Sequence, residues 1–378
     1  MINITDKHKC CGCGACVQRC PQRCISLRTD EEGFSYPYVE LSACIKCGLC
    51  ERVCMFSNKS ERRNQISCYA AINTDDGVRD ESSSGGAFSA LAEYVIDQGG
   101  IVFGAKYDSN WEVVHSSTEN INGLSSFRGS KYVQSRIGDS YSQTEKYLKQ
   151  GRMVLFSGTS CQIVGLKLFL MKDYQNLITA EIICHGVPSP KLWSEYTKYL
   201  PICQAEQINM KDKSSGWSRY SFSIYGVNQN ILLREAAASN KWLTPFAQNL
   251  TLRPSCYHCP AKLANSKSDF TLGDCWGIND FLPEFYDDKG CSLVICNTTK
   301  AEELISKSKL LLTPISIDDA VRYNPSIIKS VTEPYERTFF WKEYFKNGIE
   351  AILSPKPTPN PSFVSRTIRF IKRKLDKS

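Results

Sequence analysis

The chain has 378 residues, 42% hydrophobic and 22% charged, with 19 cysteines. That composition excludes a disordered or collagen-like chain and predicts a globular protein of two or three domains. The net charge is +7, but residues 366–378 supply +5 of it through Arg366, Arg369, Lys372, Arg373, Lys374 and Lys377 against Asp376, so the body is nearly neutral and no nucleic-acid partner is expected.

No apolar run approaches the ~18 residues of a spanning helix. The opening "MINITDKHKC" lacks the apolar core of a secretory signal. A cytoplasmic chain with reduced thiols follows as the expectation, and crowded cysteines there point to metal rather than to disulfides.

The first segment reads Cys10-x2-Cys13-x2-Cys16-x3-Cys20-Pro21, and the spacing returns as Cys44-x2-Cys47-x2-Cys50-x3-Cys54. This is the bacterial two-cluster ferredoxin pattern, in which the fourth cysteine of each run serves the other cluster. Cys10, Cys13, Cys16 and Cys54 are therefore assigned to one [4Fe–4S] cluster, and Cys44, Cys47, Cys50 and Cys20 to the second. Structural zinc also favours Cys-x2-Cys pairs, yet zinc does not explain two copies of the four-cysteine spacing. Cys11 and Cys24 fall outside the pattern. Between the runs, "CISLRTDEEGFSYPYVEL" predicts two short strands around a turn.

Residues 57–66, "SNKSERRNQI", read as a polar linker. "SSSGGAFSALAEYVIDQGG" predicts a helix capped by its serines, with Phe88, Leu91, Ala92, Val95 and Ile96 at helical spacing. A strand "IVFGAKY", a loop "RGSKY" and a helix near 140–150 follow. "MVLFSGTSCQIVGLKLFL" reads as strand, turn and helix, and "LITAEIICHGVPSP" as a strand running into a loop. "RYSFSIYGV" with "NILLRE", and "DFTLGD" with "CSLVICNT", supply further strands. The fold class is α+β: a ferredoxin-like 2[4Fe–4S] domain over 1–58, then a mixed α/β catalytic domain over 67–353 in two parts, 67–150 and 151–353. A proline-rich linker spans 354–362. In the tail 363–378, Val364, Ile368, Ile371 and Leu375 make one apolar stripe with basic residues opposite, a pattern suited to an anionic membrane surface, to a partner or to plain solvation.

Four further cysteines are scattered. Cys161 sits where a strand turns into a helix, Cys184 just past another strand, and Cys256 and Cys259 form a Cys-x2-Cys pair. Open sheets place functional groups at the carboxyl ends of their strands, so the four suggest a third [4Fe–4S] cluster, although buried cysteines are also common and inert.

"SSSGGAFSALAEYVIDQGGIVFGA", "FRGSKYVQSRIGD", "VLFSGTSCQIVGL", "ICHGVPSP" and "LRPSCYHC…SDFTLGDCWGI", in this order, resemble the beta subunit family of coenzyme F420-reducing hydrogenases and dehydrogenases. The likeness spans residues 1 to about 300. It departs at "SGTSCQ", where many members read "SGTPCQ", which alters the turn but not the candidate ligand. The resemblance implies an iron–sulfur flavoprotein in which Cys161, Cys184, Cys256 and Cys259 hold the cluster of the catalytic domain. It also implies FAD. There is no G-x-G-x-x-G, so the flavin contacts are sought in the family's own loops: Ser83, Ser84, Gly85 and Gly86; Arg128, Gly129, Ser130, Lys131 and Tyr132; and Gly158 with Thr159. Serine–glycine runs are also ordinary caps, and basic loops are commonly just solvated. Candidate catalytic groups are His185, which could instead be a packed histidine, and Asp274, which could instead cap a turn.

These readings converge on a flavin-dependent iron–sulfur oxidoreductase linking a ferredoxin-like or deazaflavin carrier to a substrate, with a membrane-linked glycan intermediate as one candidate substrate. The alternatives are an electron-transfer subunit of a larger hydrogenase or dehydrogenase, and a non-enzymatic iron–sulfur sensor or scaffold.

Overall fold

A computed structural model describes residues 1–58, 65–262 and 266–355. Most of the expected linker and nearly all of the proline-rich spacer and basic tail (59–64 and 356–378) lie outside the described residues.

The N-terminal segment is built around the expected hairpin, β1 (Ile25–Thr29) against β2 (Ser35–Val39), antiparallel with Ile25 opposite Val39. A one-turn helix carries the third cysteine of each closely spaced group: α1 (Ala15–Gln18) holds Cys16 and α2 (Leu49–Arg52) holds Cys50, and they open on Gly14 (φ 74°) and Gly48 (φ 75°). The sequence repeat is thus a backbone repeat. Two residues before those caps, Gly12 (φ 69°) and Lys46 (φ 55°) occupy the same left-handed position in the two copies. A lysine there costs about 1–2 kcal/mol relative to a right-handed conformation, so the loop shape is imposed by more than local preference.

The body is organised by an eight-stranded sheet. In spatial order it runs β13 (Leu310–Pro314), β3 (Ser67–Asn73), β12 (Ser292–Cys296), β11 (Phe270–Asp274), β7 (Leu177–Ile182), β6 (Val154–Thr159), β4 (Ile101–Tyr107) and β5 (Val113–Thr118). The four strands β11, β7, β6 and β4 are mutually parallel, and antiparallel pairs flank them on both sides. The sheet is therefore mixed. Its parallel centre reads as continuous apolar runs because both faces are covered.

One face buries Leu91, Ala92 and Val95 of α4 (Ala87–Asp97), which follows the short α3 (Asp76–Glu81). The other carries α5 (Ser140–Lys149) and α6 (Ser160–Leu170), whose Tyr141, Ile163 and Leu166 pack on Phe103 and Phe156. Ala15, Cys16, Ile25 and Val53 of the N-terminal segment join that same core. A second, three-stranded antiparallel sheet, β10 (Ile231–Ala236), β9 (Ser221–Tyr225) and β8 (Gln207–Asp212), packs with α7 (Pro190–Thr197) around Trp193, Trp242 and Phe222. Phe34, from the turn of the N-terminal hairpin, is buried in this cluster.

Two details differ from expectation. The serines before α4 do not cap it: the cap is Gly86 at φ 85°, while Ser83 and Ser84 turn away to other partners. And β3, near the middle of the antiparallel half, gave no sequence signal, because "SCYAAIN" is short, small-residued and without alternation.

Candidate metal centres and redox site

Two small cavities open in the N-terminal segment. The first is lined by Cys10, Cys13, Cys16 and Cys54, the second by Cys20, Cys44, Cys47 and Cys50. The exchange of fourth cysteines expected from the spacing is thus the grouping the fold produces. Cys16 lies within the electrostatic reach of Cys10, Cys54 and Cys50, and burial ahead of those neighbours pushes its thiol up to about 12. Among the described residues no three His, Cys, Asp or Glu side chains close around a single metal ion; the cavities gather thiols around a larger space. The donor set, four thiols to each cavity, with a backbone N–H bond from Gly12 to the Cys10 thiol in the first, fits a cubane cluster in each.

The two cysteines outside the repeat also reach these cavities. Cys24 lines the second and stands 3.4 Å from Cys20. Cys11 lines the first, donates to Met55 Sδ at 3.4 Å and hydrogen-bonds the Cys161 thiol of the body.

The scattered cysteines converge as well. Cys161 enters α6 directly from β6, and Cys184 follows the neighbouring parallel strand β7. Cys256 and Cys259 lie on and just after a 3-10 turn, Pro254–His258. Cys256 feels the charges of Cys184, Cys161 and Cys259, and Cys259 that of Cys161, so the four lie within electrostatic reach of one another. Burial, before those charges, raises Cys184 to about 12 and Cys259 to about 11. Four half-buried thiols with so little tendency to ionise unaided are a donor set that a multivalent cationic group would turn into thiolates. Lys262 adds a positive charge beside Cys184 and Cys259, its ammonium held by the carbonyls of Cys184 and Ser326.

The inner set lies against the first cavity. An added Cβ at Gly165 of α6 would stand 2.9 Å from Cys13 Cβ and 3.0 Å from Cys13 Sγ, so helix and ligand loop touch only because residue 165 is glycine. A capping box fixes the start of α6: Thr159 N–H donates to Gln162 Oε1 at 2.9 Å. The Gln162 amide reaches Ser135 Oγ (2.8 Å), and Ser135 donates to His115 Nδ1 (3.0 Å), whose Nε2 donates to the Ser157 carbonyl (3.0 Å). Gly158 and Thr159 thus serve the placement of Cys161. Thr159 Oγ1 is 3.2 Å from the Cys161 thiol.

Of the expected flavin loops, two meet: Ser130 N–H and hydroxyl bond Ser83 Oγ at 2.6 and 3.0 Å. The backbone amides of the Ser83–Gly86 turn are partly engaged. Gly85 N–H donates to Ser292 Oγ at 3.0 Å, and a Cβ at Gly85 would lie 2.3 Å from the Ala71 carbonyl, so that glycine is required by strand contact. Gly86 likewise abuts Asn73. Gly129, at φ 82°, has open space where a Cβ would go. Arg128 pairs with Glu81 and Glu93, and the Lys131 ammonium donates to the carbonyls of Phe127, Arg128 and Gly129, its pKa lowered by burial to about 7.

His185 and Asp274, far apart in sequence, are joined by aromatic side chains. His185 Nε2 bonds Asn249 Oδ1 at 2.6 Å and its ring meets Phe246 edge-on; Phe246 stacks on Tyr132 at 5.0 Å; Tyr132 bonds Tyr220, and Asp274 acts on both tyrosines. Asp274 Oδ1 accepts from Trp217 Nε1 (2.9 Å) and from the fully buried Lys211, whose ammonium lies 4.6 Å over Trp276. A bulge between Asn209 and Asp212 aims Lys211 there. Neither Lys211 nor Arg253 was anticipated. Arg253, 1% exposed, donates to the Cys10 carbonyl (2.7 Å), the Ser35 carbonyl (2.9 Å) and Gln134 (3.1 Å) beside the first cavity. Its only sequence signal was its place three residues before Cys256.

Comparison with known proteins agrees with this division. Residues 9–58 match the 4Fe-4S dicluster domain, and residues 151–315 match the family described as coenzyme F420 hydrogenase/dehydrogenase, C terminus of the beta subunit. The chain carries a segment that matches a 4Fe-4S dicluster domain, followed by one that matches the C terminus of that beta-subunit family. It is thus an iron–sulfur protein related to those beta subunits. Its first segment is 37% identical over 51 residues to an uncharacterized ferredoxin of Methanocaldococcus jannaschii, a match spanning 14% of this chain and 65% of that one. In fold, it is similar to a chain of the F420-reducing [NiFe] hydrogenase complex of Methanosarcina barkeri, with a TM-score of 0.50 and 17% identity over 79% of this chain and 97% of that one. Among the described residues no helix is long and apolar enough to cross a membrane.

Proposed function

We propose that the chain is a flavin-dependent iron–sulfur oxidoreductase carrying three [4Fe–4S] clusters and FAD, working between a one-electron carrier and a hydride-accepting partner such as a deazaflavin. The observation that carries this reading is the gathering of twelve cysteines into three sets, with the inner set touching the first cavity through Cys11 and Cys161. Clusters move single electrons, and a flavin exchanges a hydride for single electrons, so the two cofactors belong together in one chain. The residues of this chain hold and shield: α6 presents Cys161, Arg253 fixes the first ligand loop, and Lys262 lends charge to the inner set. His185 and Asp274, at the two ends of the aromatic path, are the groups proposed to hold or move a proton near a bound flavin. FAD is supported by the family resemblance and by the meeting of the Ser83 and Ser130 loops.

A second reading, an electron-transfer subunit without its own substrate, is favoured by one fact: the structural neighbour belongs to a hydrogenase complex. The membrane-linked substrate has only the charge of the tail behind it.

Anaerobic purification followed by iron, sulfide and flavin assay tests the proposal. About twelve irons with one FAD are expected for three cubanes. Cys256→Ser should lose about four irons and leave the N-terminal spectrum intact; retention of all iron overturns the inner-cluster assignment, and iron without flavin overturns the flavoprotein reading.

A further inference from the structure

We propose that the rim of the second cavity is the docking face for an acidic one-electron carrier protein; this rests on the iron–sulfur reading of that cavity. The argument comes from the internal repeat. The loops Cys10–Cys16 and Cys44–Cys50 have the same spacing and the same left-handed positions, Gly12 with Lys46 and Gly14 with Gly48. They therefore present the same kind of face. In the first copy that face is covered by the body: Cys11 is 8% exposed against Met55 and Cys161, and Gly12 abuts Arg253 and Gln134. In the second copy it is bare. Ile45, the counterpart of Cys11, is 62% exposed, and nearby Leu41 is 64% exposed. Cys47, a cavity-lining thiol, is itself exposed.

The charge near the rim is predominantly basic, with exposed Glu40, beside Leu41, accepting from Ser42. Arg23, Lys46 and Arg52 are exposed, and none of them pairs with a carboxylate among the described residues, whereas the nearby Glu51 is neutralised by the N-terminal ammonium at 2.6 Å. Arg23 (φ 51°) and Lys46 (φ 55°) hold left-handed backbone positions where glycine would be easier. An apolar centre with a polar, charged rim is the anatomy of a transient protein interface. The positive rim selects a negatively charged occupant and opposes a second copy of the same face.

The left-handed backbone supplies a safe test, because glycine at 23 and 46 removes charge while relieving strain. The full chain, loaded with iron, is titrated against a fluorescently labelled acidic [2Fe–2S] ferredoxin as probe, and binding is read by anisotropy. At low ionic strength the Arg23→Gly/Lys46→Gly variant should bind about tenfold more weakly than wild type, with the gap closing at high salt and iron content unchanged. Equal binding by the variant, absence of probe binding at low salt, or binding indifferent to salt each overturns the proposal. So does a salt-insensitive dimer that Ile45→Ser dissociates, or capture by anionic phosphatidylserine vesicles in place of the probe. A chain that takes up no iron overturns the underlying reading instead, and the iron assay keeps the two failures apart.

Discussion

At the residue scale, His115 shows how a side chain that is not itself a candidate ligand fixes the placement of one, Cys161. It is buried, its two nitrogens are occupied by Ser135 and the Ser157 carbonyl, and through Ser135 it supports the Gln162 cap that starts α6 at Cys161. Burial, opposed by the Ser157 bond, lowers its pKa from 6.5 to about 4. The folded protein therefore refuses a proton that the unfolded chain accepts. Stability from this source is fully present above pH 6.5 and is lost as pH falls toward 4. Between pH 6.5 and 5 the loss amounts to roughly 2 kcal/mol by linkage. Anaerobic urea unfolding should show this slope in wild type and a flatter one in His115→Gln, although the variant starts from a lower stability; parallel slopes would mean that His115 titrates normally.

At the element scale, the contact of α6 with the first ligand loop depends on Gly165. Alanine would improve helix propensity by about 1 kcal/mol. Its Cβ would also lie within 3.0 Å of Cys13 and Tyr141, and overpacking of this kind costs about 1–3 kcal/mol. Cys13 belongs to a loop that cannot easily yield, so the steric effect should win: Gly165→Ala is expected to be destabilised by about 1 kcal/mol in denaturant unfolding. A neutral or stabilised variant would show the contact to be loose. This element also marks where sequence reading succeeds and stops. The strand–turn–helix of β6 and α6 was legible because it is a local pattern. The apolar runs of β4 and β7 were legible because burial on both faces leaves no alternation to confuse. Gly165, Arg253 and Lys211 were not, since their meaning lies in partners distant in sequence: Arg253 meets Cys10 243 positions away, and Lys211 meets Asp274 63 positions away. The serines before α4 misled because a good capping composition was drawn off by Ser130 and Cys291 across the fold.

At the scale of the whole molecule, the N-terminal segment is fastened to the body by two buried arginines. The ligand loop is held by Arg253, and the turn by Arg337 of the helix Glu336–Asn347, whose guanidinium clasps both oxygens of Glu32 and also reaches Tyr257 and the Leu252 carbonyl. Glu32 and Arg337 are both largely buried, with side chains 13% and 8% exposed. Removing one partner of such a pair leaves an uncompensated charge and costs about 3–5 kcal/mol, whereas replacing both by apolar residues is often near neutral. Arg337→Leu should therefore be strongly destabilised, and Glu32→Leu/Arg337→Leu should recover most of the loss. In the single variant the buried Glu32 carboxyl, already raised by desolvation against the opposing pull of Arg337, loses that opposing charge. Its folded-state pKa then stands further above its unfolded value, so the defect should be mild in acid and deepen as pH rises through the Glu32 titration. Because the segment shares a core with α6, wild type should lose its iron–sulfur absorbance and its far-ultraviolet signal in one transition, and Arg337→Leu should separate them, the absorbance going first. Coincident transitions in the variant, or a double variant no better than the single, would place the coupling in the shared apolar core rather than in the ion pair.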